Sequence, residues 1–159
     1  MKLRTVCVLV AIALLLAGCS MSFNINTSSS VSPSSSATTR PGEIAVTITY
    51  PGNYVPAMNV YAVRVDKSQS PLVLQTNQSN TIVMAVFRDV PPGTYHVLAY
   101  NPDPALANVR GGYTRAVLCG GTAGCIDHTM VDVVVAPGAQ VKVIIGDYFA
   151  ESIPLQPPQ

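Results

Sequence analysis

The chain has 159 residues, 48% of them hydrophobic and 11% charged, with nine Lys and Arg against eight Asp and Glu. So even a balance, with no basic run, excludes nucleic acid and direct electrostatic binding to anionic lipid as partners. Tryptophan is absent and there are two histidines and four cysteines, which leaves few groups for catalysis or metal binding.

Lys2 and Arg4 precede an apolar run from Val6 to Ala17. That run is about a dozen residues, well short of the ~20 that cross a bilayer as a helix. A basic start, a short apolar run and small residues before a cleavage point form the layout of a secretory signal peptide. The closing Leu16-Ala17-Gly18-Cys19 resembles the lipobox of bacterial lipoproteins. This resemblance implies that residues 1–18 are removed and that Cys19 receives a diacylglycerol on sulfur and an acyl chain on its new amine. The protein is then extracytoplasmic, anchored by lipid to the cell membrane or the outer membrane. Several acyl chains hold a protein stably where one does so reversibly. Ser20 follows the cysteine and, by resemblance to enterobacterial sorting, permits export to the outer membrane. The rival readings are an uncleaved anchor helix and a secretory signal with an incidental cysteine.

Residues 19–40 follow the signal with a run dominated by Ser and Thr, uncharged before Arg40. Such a run buries too little apolar surface to fold and is expected to be a flexible tether. A coil of about 21 residues spans roughly 25 Å, enough to lift a small domain off a lipid surface. Residues 41–150 turn to Val, Ile, Ala, Tyr, Pro and Gly and are expected to form one domain. The tail 151–159, with Pro154, Pro157 and Pro158, is expected to be extended and loose.

Within the domain the hydrophobic period is two, and no helix is expected. Glu43 to Tyr50 places Ile44, Val46, Ile48 and Tyr50 on one face. Ala57 to Val65 is apolar on both faces, so its register is ambiguous. Leu72 to Leu74, Thr81 to Phe87, the strand with Tyr95, Val97 and Ala99, Val131 to Val135 and Gln140 to Ile145 complete the set. Seven short strands punctuated by Pro and Gly turns predict an all-β, seven-stranded antiparallel β-sandwich.

Val90-Pro91-Pro92-Gly93-Thr94-Tyr95-His96-Val97, together with the earlier Val55-Pro56-Ala57-Met58-Asn59-Val60, carries a second resemblance. Gly42 to Tyr100 is similar to carboxypeptidase-regulatory-type domains, the transthyretin-like β-sandwich group. In physical terms Val90 plugs the edge of the core, the prolines fix φ, Gly93 turns the chain and Tyr95 returns it to the core. The resemblance speaks to fold and is nearly silent on function.

It weakens between Asn101 and Met130. Cys7 leaves with the signal and Cys19 is taken by lipid, so Cys119 and Cys125 remain as one pair outside the cytoplasm, where disulfides persist. The rival reading, a metal site, has only His128 nearby as a third ligand and a wider spacing than zinc knuckles use. No metal or cofactor is expected. His96 is expected to face solvent, and Asp127-His128 is weak as a dyad because neighbours on extended chain point to opposite faces. No nucleophile elbow, phosphate loop or His-Glu-x-x-His is present, so an enzyme is not expected. Asp103, Asp127 and His128 converge only if the insert folds back, with Tyr113 and Arg115 lining a shallow pocket; otherwise Asp103 makes a turn. The expected role is a non-catalytic interaction or structural module at the cell envelope, with an envelope protein or polysaccharide as partner. The alternative is a carbohydrate- or small-ligand-binding surface on residues 101–130.

Overall fold

The alternation that starts at Glu43 is strand β1 (Gly42–Ile48), with Ile44, Val46 and Ile48 buried and the residues between them half-exposed. The computed structural model describes residues 40–149 and 151–159, which belong to one compact unit, Ala37–Gln159. The signal segment, Cys19 and nearly all of the Ser/Thr-rich run lie outside the described residues. Seven further strands follow: β2 (Met58–Arg64), β3 (Leu72–Thr76), β4 (Val83–Val90), β5 (Gly93–Tyr100), β6 (Arg110–Gly112), β7 (Val133–Val135) and β8 (Gln140–Ile145). The described strands therefore number eight; the addition to the expected seven is β6, between Asn101 and Met130. One helical turn, α1 (Arg115–Leu118), also lies there, where no helix was expected.

The strands form two sheets. One has the order β4-β1-β8; the other runs β3-β2-β5-β6, with β7 paired to the start of β5. Ile44, Val46 and Ile48 face Met58, Val60, Ala62, Tyr95, Val97 and Ala99 in a core that both sheets fill. The arrangement is sandwich-like but not antiparallel throughout. β1 and β8 run parallel, in register from Glu43 with Gln140 to Ile48 with Ile145. An alternating apolar pattern fixes which face a residue takes and is blind to strand direction, so the parallel pair was invisible to it. A parallel pair needs a long crossover, and here the rest of the domain supplies it.

The five-stranded sheet is covered on its outer face as well. Tyr61, Leu98, Tyr100 and Ile153 form a second, smaller cluster, with Val63 and Met130 packed against it. Both-face burial explains why β2 has no polar side. Tyr61 and Tyr100 meet edge to face at 5.6 Å, and the Tyr100 hydroxyl donates to Pro154 O at 3.1 Å. Burial pushes that phenol up to about 12, against the pull of Arg110, so it remains a donor. Arg110 Nε donates to Ile153 O at 3.0 Å. The tail expected to be loose is thus docked at Ile153 and Pro154, because an apolar sheet face needed a cover.

At the Pro-Pro-Gly corner Val90 is fully buried, and Tyr95 is 1% exposed with its hydroxyl donating to Pro91 O at 2.7 Å. Tyr148 is the contrasting case. Its ring packs edge-on against Tyr50 at 4.8 Å, yet its buried hydroxyl has no hydrogen-bond partner. Tyr95→Ala should cost about 3 to 5 kcal/mol, the range for removing a buried large ring. The two hydroxyl deletions should differ in sign: Tyr95→Phe should destabilise and Tyr148→Phe should stabilise, each by about 1 kcal/mol. Denaturant midpoints of the three variants test this, and equal losses for both Phe variants would contradict it.

Candidate functional site

The segment between β5 and β7 is built as structure rather than as a free loop. Asp103 takes the turn role: its carboxylate accepts Ala105 N at 2.9 Å and caps a short 3₁₀ turn, Pro104–Leu106. β6 then joins the sheet edge, where a Cβ on Gly111 would lie 2.7 Å from the Tyr148 ring. The chain returns on itself, with Arg115 N donating to Thr129 O at 2.9 Å and Val131 N to Tyr113 O at 3.0 Å. Between these contacts Cys119 and Cys125 are joined as a disulfide. The bridged loop turns through Gly120 and Gly121, at φ 103° and 65°, a region that side-chain-bearing residues seldom enter.

Asp147, just past β8, organises the polar part of this face. Its carboxylate accepts the Thr114 hydroxyl at 2.5 Å, lies 2.9 Å from His128 Nδ1 and accepts Phe149 N at 2.9 Å. Its own carbonyl accepts Gly112 N at 2.9 Å. Thr114 is fully buried and Asp147 is 7% exposed. Burial alone would raise the carboxyl's pKa. The hydrogen bonds from Thr114, His128 and Phe149 outweigh it and hold the group below the ordinary carboxylate range. His128 stacks on Phe149, with ring centroids 4.1 Å apart and planes 15° from parallel.

This geometry brings Asp127 and His128 to one depression, with Arg115 beside Asp127, and leaves Tyr113 against the core. Asp127 turns away from His128, as extended neighbours do, and pairs with Arg115 at 3.7 Å while accepting Thr129 N and Oγ1. Those hydrogen bonds from Thr129 hold its carboxyl below the usual value. Tyr113 is half-buried and packs against the main core, so it does not line a pocket with Arg115. His96, expected to face solvent, is partly covered and lies 2.8 Å from Asp132. Asp147 and Phe149 were missed. The available signal was an acidic residue directly after a buried strand and among aromatics, where an unpartnered charge is costly.

Chemically the cluster is a clamp. Thr114 donates to the carboxylate rather than to His128, and its burial bars it from substrate. Beside it lies a shallow depression of about 290 Å³ lined by Ile126, Asp127, His128, Thr129, Phe149 and Ser152, among others. Phe149 is 47% exposed and Ile126 is 82% exposed, so this rim is amphipathic. Among the described residues no group of three or more His, Cys, Asp or Glu is placed to hold a metal ion. A larger depression lies elsewhere, on the outer face of the five-stranded sheet. No known family model, curated protein or solved structure matches the chain.

Asp147→Ala should cost about 3 kcal/mol at pH 7, because it strands the buried Thr114 hydroxyl. A depressed carboxyl contributes stability above its unfolded pKa and loses it as pH falls through the folded one. The natural chain should therefore lose stability as the pH falls below about 4, and Asp147→Asn should flatten that acid limb. Unfolding free energies measured across that range check both statements; an unchanged acid slope in Asp147→Asn would contradict the clamp.

Proposed function

We propose that this chain is a lipid-anchored cell-envelope protein whose β-rich domain is a non-catalytic interaction or structural module on a flexible tether. The single observation that carries the reading is Leu16-Ala17-Gly18-Cys19 at the end of a short apolar run with a basic start. The Cys119–Cys125 disulfide supports an oxidising compartment. Two sheets around one core, with the Pro-Pro-Gly-Thr-Tyr corner closed by Tyr95 onto Pro91, support a transthyretin-like reading of the domain. An envelope protein or polysaccharide is the partner that this placement makes available.

A second reading is a carbohydrate- or small-ligand-binding surface on the insert. It is favoured by the stacked His128–Phe149 pair, whose half-exposed ring edges a shallow depression, since sugars stack on exposed aromatic faces. Under the first reading Cys19→Ala removes the only thiol at the processing point. Cells fed an alkyne fatty acid should label the natural chain and leave the variant unlabelled as an unprocessed or soluble form. Undiminished label on Cys19→Ala would overturn the anchor.

A further inference from the structure

We propose that the cleft on the outer face of the five-stranded sheet is a binding site for a free aliphatic monocarboxylate. The cleft has a volume of about 480 Å³, within the range of small-ligand sites. Val63 of β2 and His96 and Leu98 of β5 form its base, Met130 one wall, and Pro154 and Pro158 of the docked tail another. Pro71 adds to the apolar lining, Gln69, Ser152 and Gln159 are polar, and the ring present is the His96 imidazole, with no Phe, Tyr or Trp. A sugar or a nucleobase would have only the partly covered His96 ring to stack on, whereas an alkyl chain needs only apolar surface.

The charge around the cleft selects the other end of the ligand. Lys67 and His96 line it, and no Asp or Glu does. The nearest acid in sequence, Asp66, is held by Arg64 Nη2 at 3.0 Å and by Arg64 Nε at 3.2 Å, and it also accepts Ser68 N. Lys67 has no ion-pair partner among the described residues. Its position is imposed by the turn: Lys67 N donates to Arg64 O at 3.1 Å, and φ is 53°, a left-handed conformation that glycine would adopt more readily. A side chain retained there, at the mouth of an apolar cleft, supplies the cation that a carboxylate needs. His96 Nε2 is tied to Asp132, so Nδ1 is the ring atom left for a ligand. The site is independent of the anchoring of Cys19 and meets the His128 depression at Ser152.

The test uses the full chain in lipid nanodiscs, with empty nanodiscs as the blank, and methionine methyl groups labelled for NMR. Octanoate should shift the Met130 methyl resonance saturably and leave Met84, exposed on the opposite sheet, unmoved. Lys67→Gln changes an exposed side chain and should keep the natural unfolding transition. It should weaken octanoate by about fivefold while leaving 1-octanol, the uncharged analogue, unchanged. The proposal is overturned if octanoate leaves Met130 unmoved, if octanol binds the natural chain as tightly as octanoate, or if Lys67→Gln binds octanoate undiminished.

Discussion

The carboxylate of Asp147 is the constraint on which the less regular half of the molecule depends. It receives donors from Thr114 at the end of the β6 segment, from His128 beyond the disulfide loop and from the backbone of Phe149. A charge taken this far from water must be surrounded by donors, or it shifts its pKa and neutralises instead. Three stretches of chain, distant in sequence, are therefore fixed to one point. The insert is held to the end of β8, Thr114 is sealed from solvent, and Phe149 is placed against the His128 ring. The disulfide closes a loop that this clamp has already positioned, and a loop that small contributes only about 2 kcal/mol.

The second organising feature is the two-sided burial of the five-stranded sheet. Tyr61, Leu98 and Tyr100 project from the face opposite the main core and are covered by Ile153 and its neighbours. Sequence alternation read β1 correctly, because that strand buries one side only and Glu43, Ala45 and Thr47 mark the other. In β2 the same alternation failed to give a register. The failure was itself informative, since a strand apolar on both sides implies a cover on both sides. The tail supplies much of that cover, and its prolines concealed the part played by Ile153. At the Pro-Pro-Gly-Thr-Tyr corner the buried Val90 and the returning Tyr95 were legible as local effects, whereas Gly93 lies within β5, where a Cβ would meet the Arg64 guanidinium at 2.9 Å. The parallel β1–β8 pair was not legible, because direction arises from the path of the whole domain.

The polar cluster was legible in the sequence only in part, since Asp147 and Phe149 lie beyond β8. The insert does carry the polar cluster, and Cys119 is bonded to Cys125 as expected. Of Tyr113, Arg115, Asp127 and His128, the structure brings Asp127 and His128 to one depression, and each side chain follows a different local demand. Tyr113 serves the core, Arg115 pairs with Asp127, and His128 turns to an acid nineteen residues further on. No spacing rule links His128 to Asp147, since they meet only when β8 is laid beside β1. Two surfaces of different character result. One is shallow and amphipathic beside His128 and Phe149; the other is a deeper cleft beside Lys67 with Val63, Leu98 and Met130 in its lining.

Native-state amide hydrogen exchange tests most directly whether the insert is part of the fold through Asp147. The amides of Gly112, Arg115 and Val131 hydrogen-bond within or beneath the insert, and that of Glu43 bonds to Ala139 O beside the central strand. If the clamp unites these regions, all four should exchange only through global unfolding, with the same opening free energy and the same denaturant dependence. Exchange of Gly112, Arg115 and Val131 by a local opening, while Glu43 stays protected, would contradict the account and make the insert a separate, weakly held element.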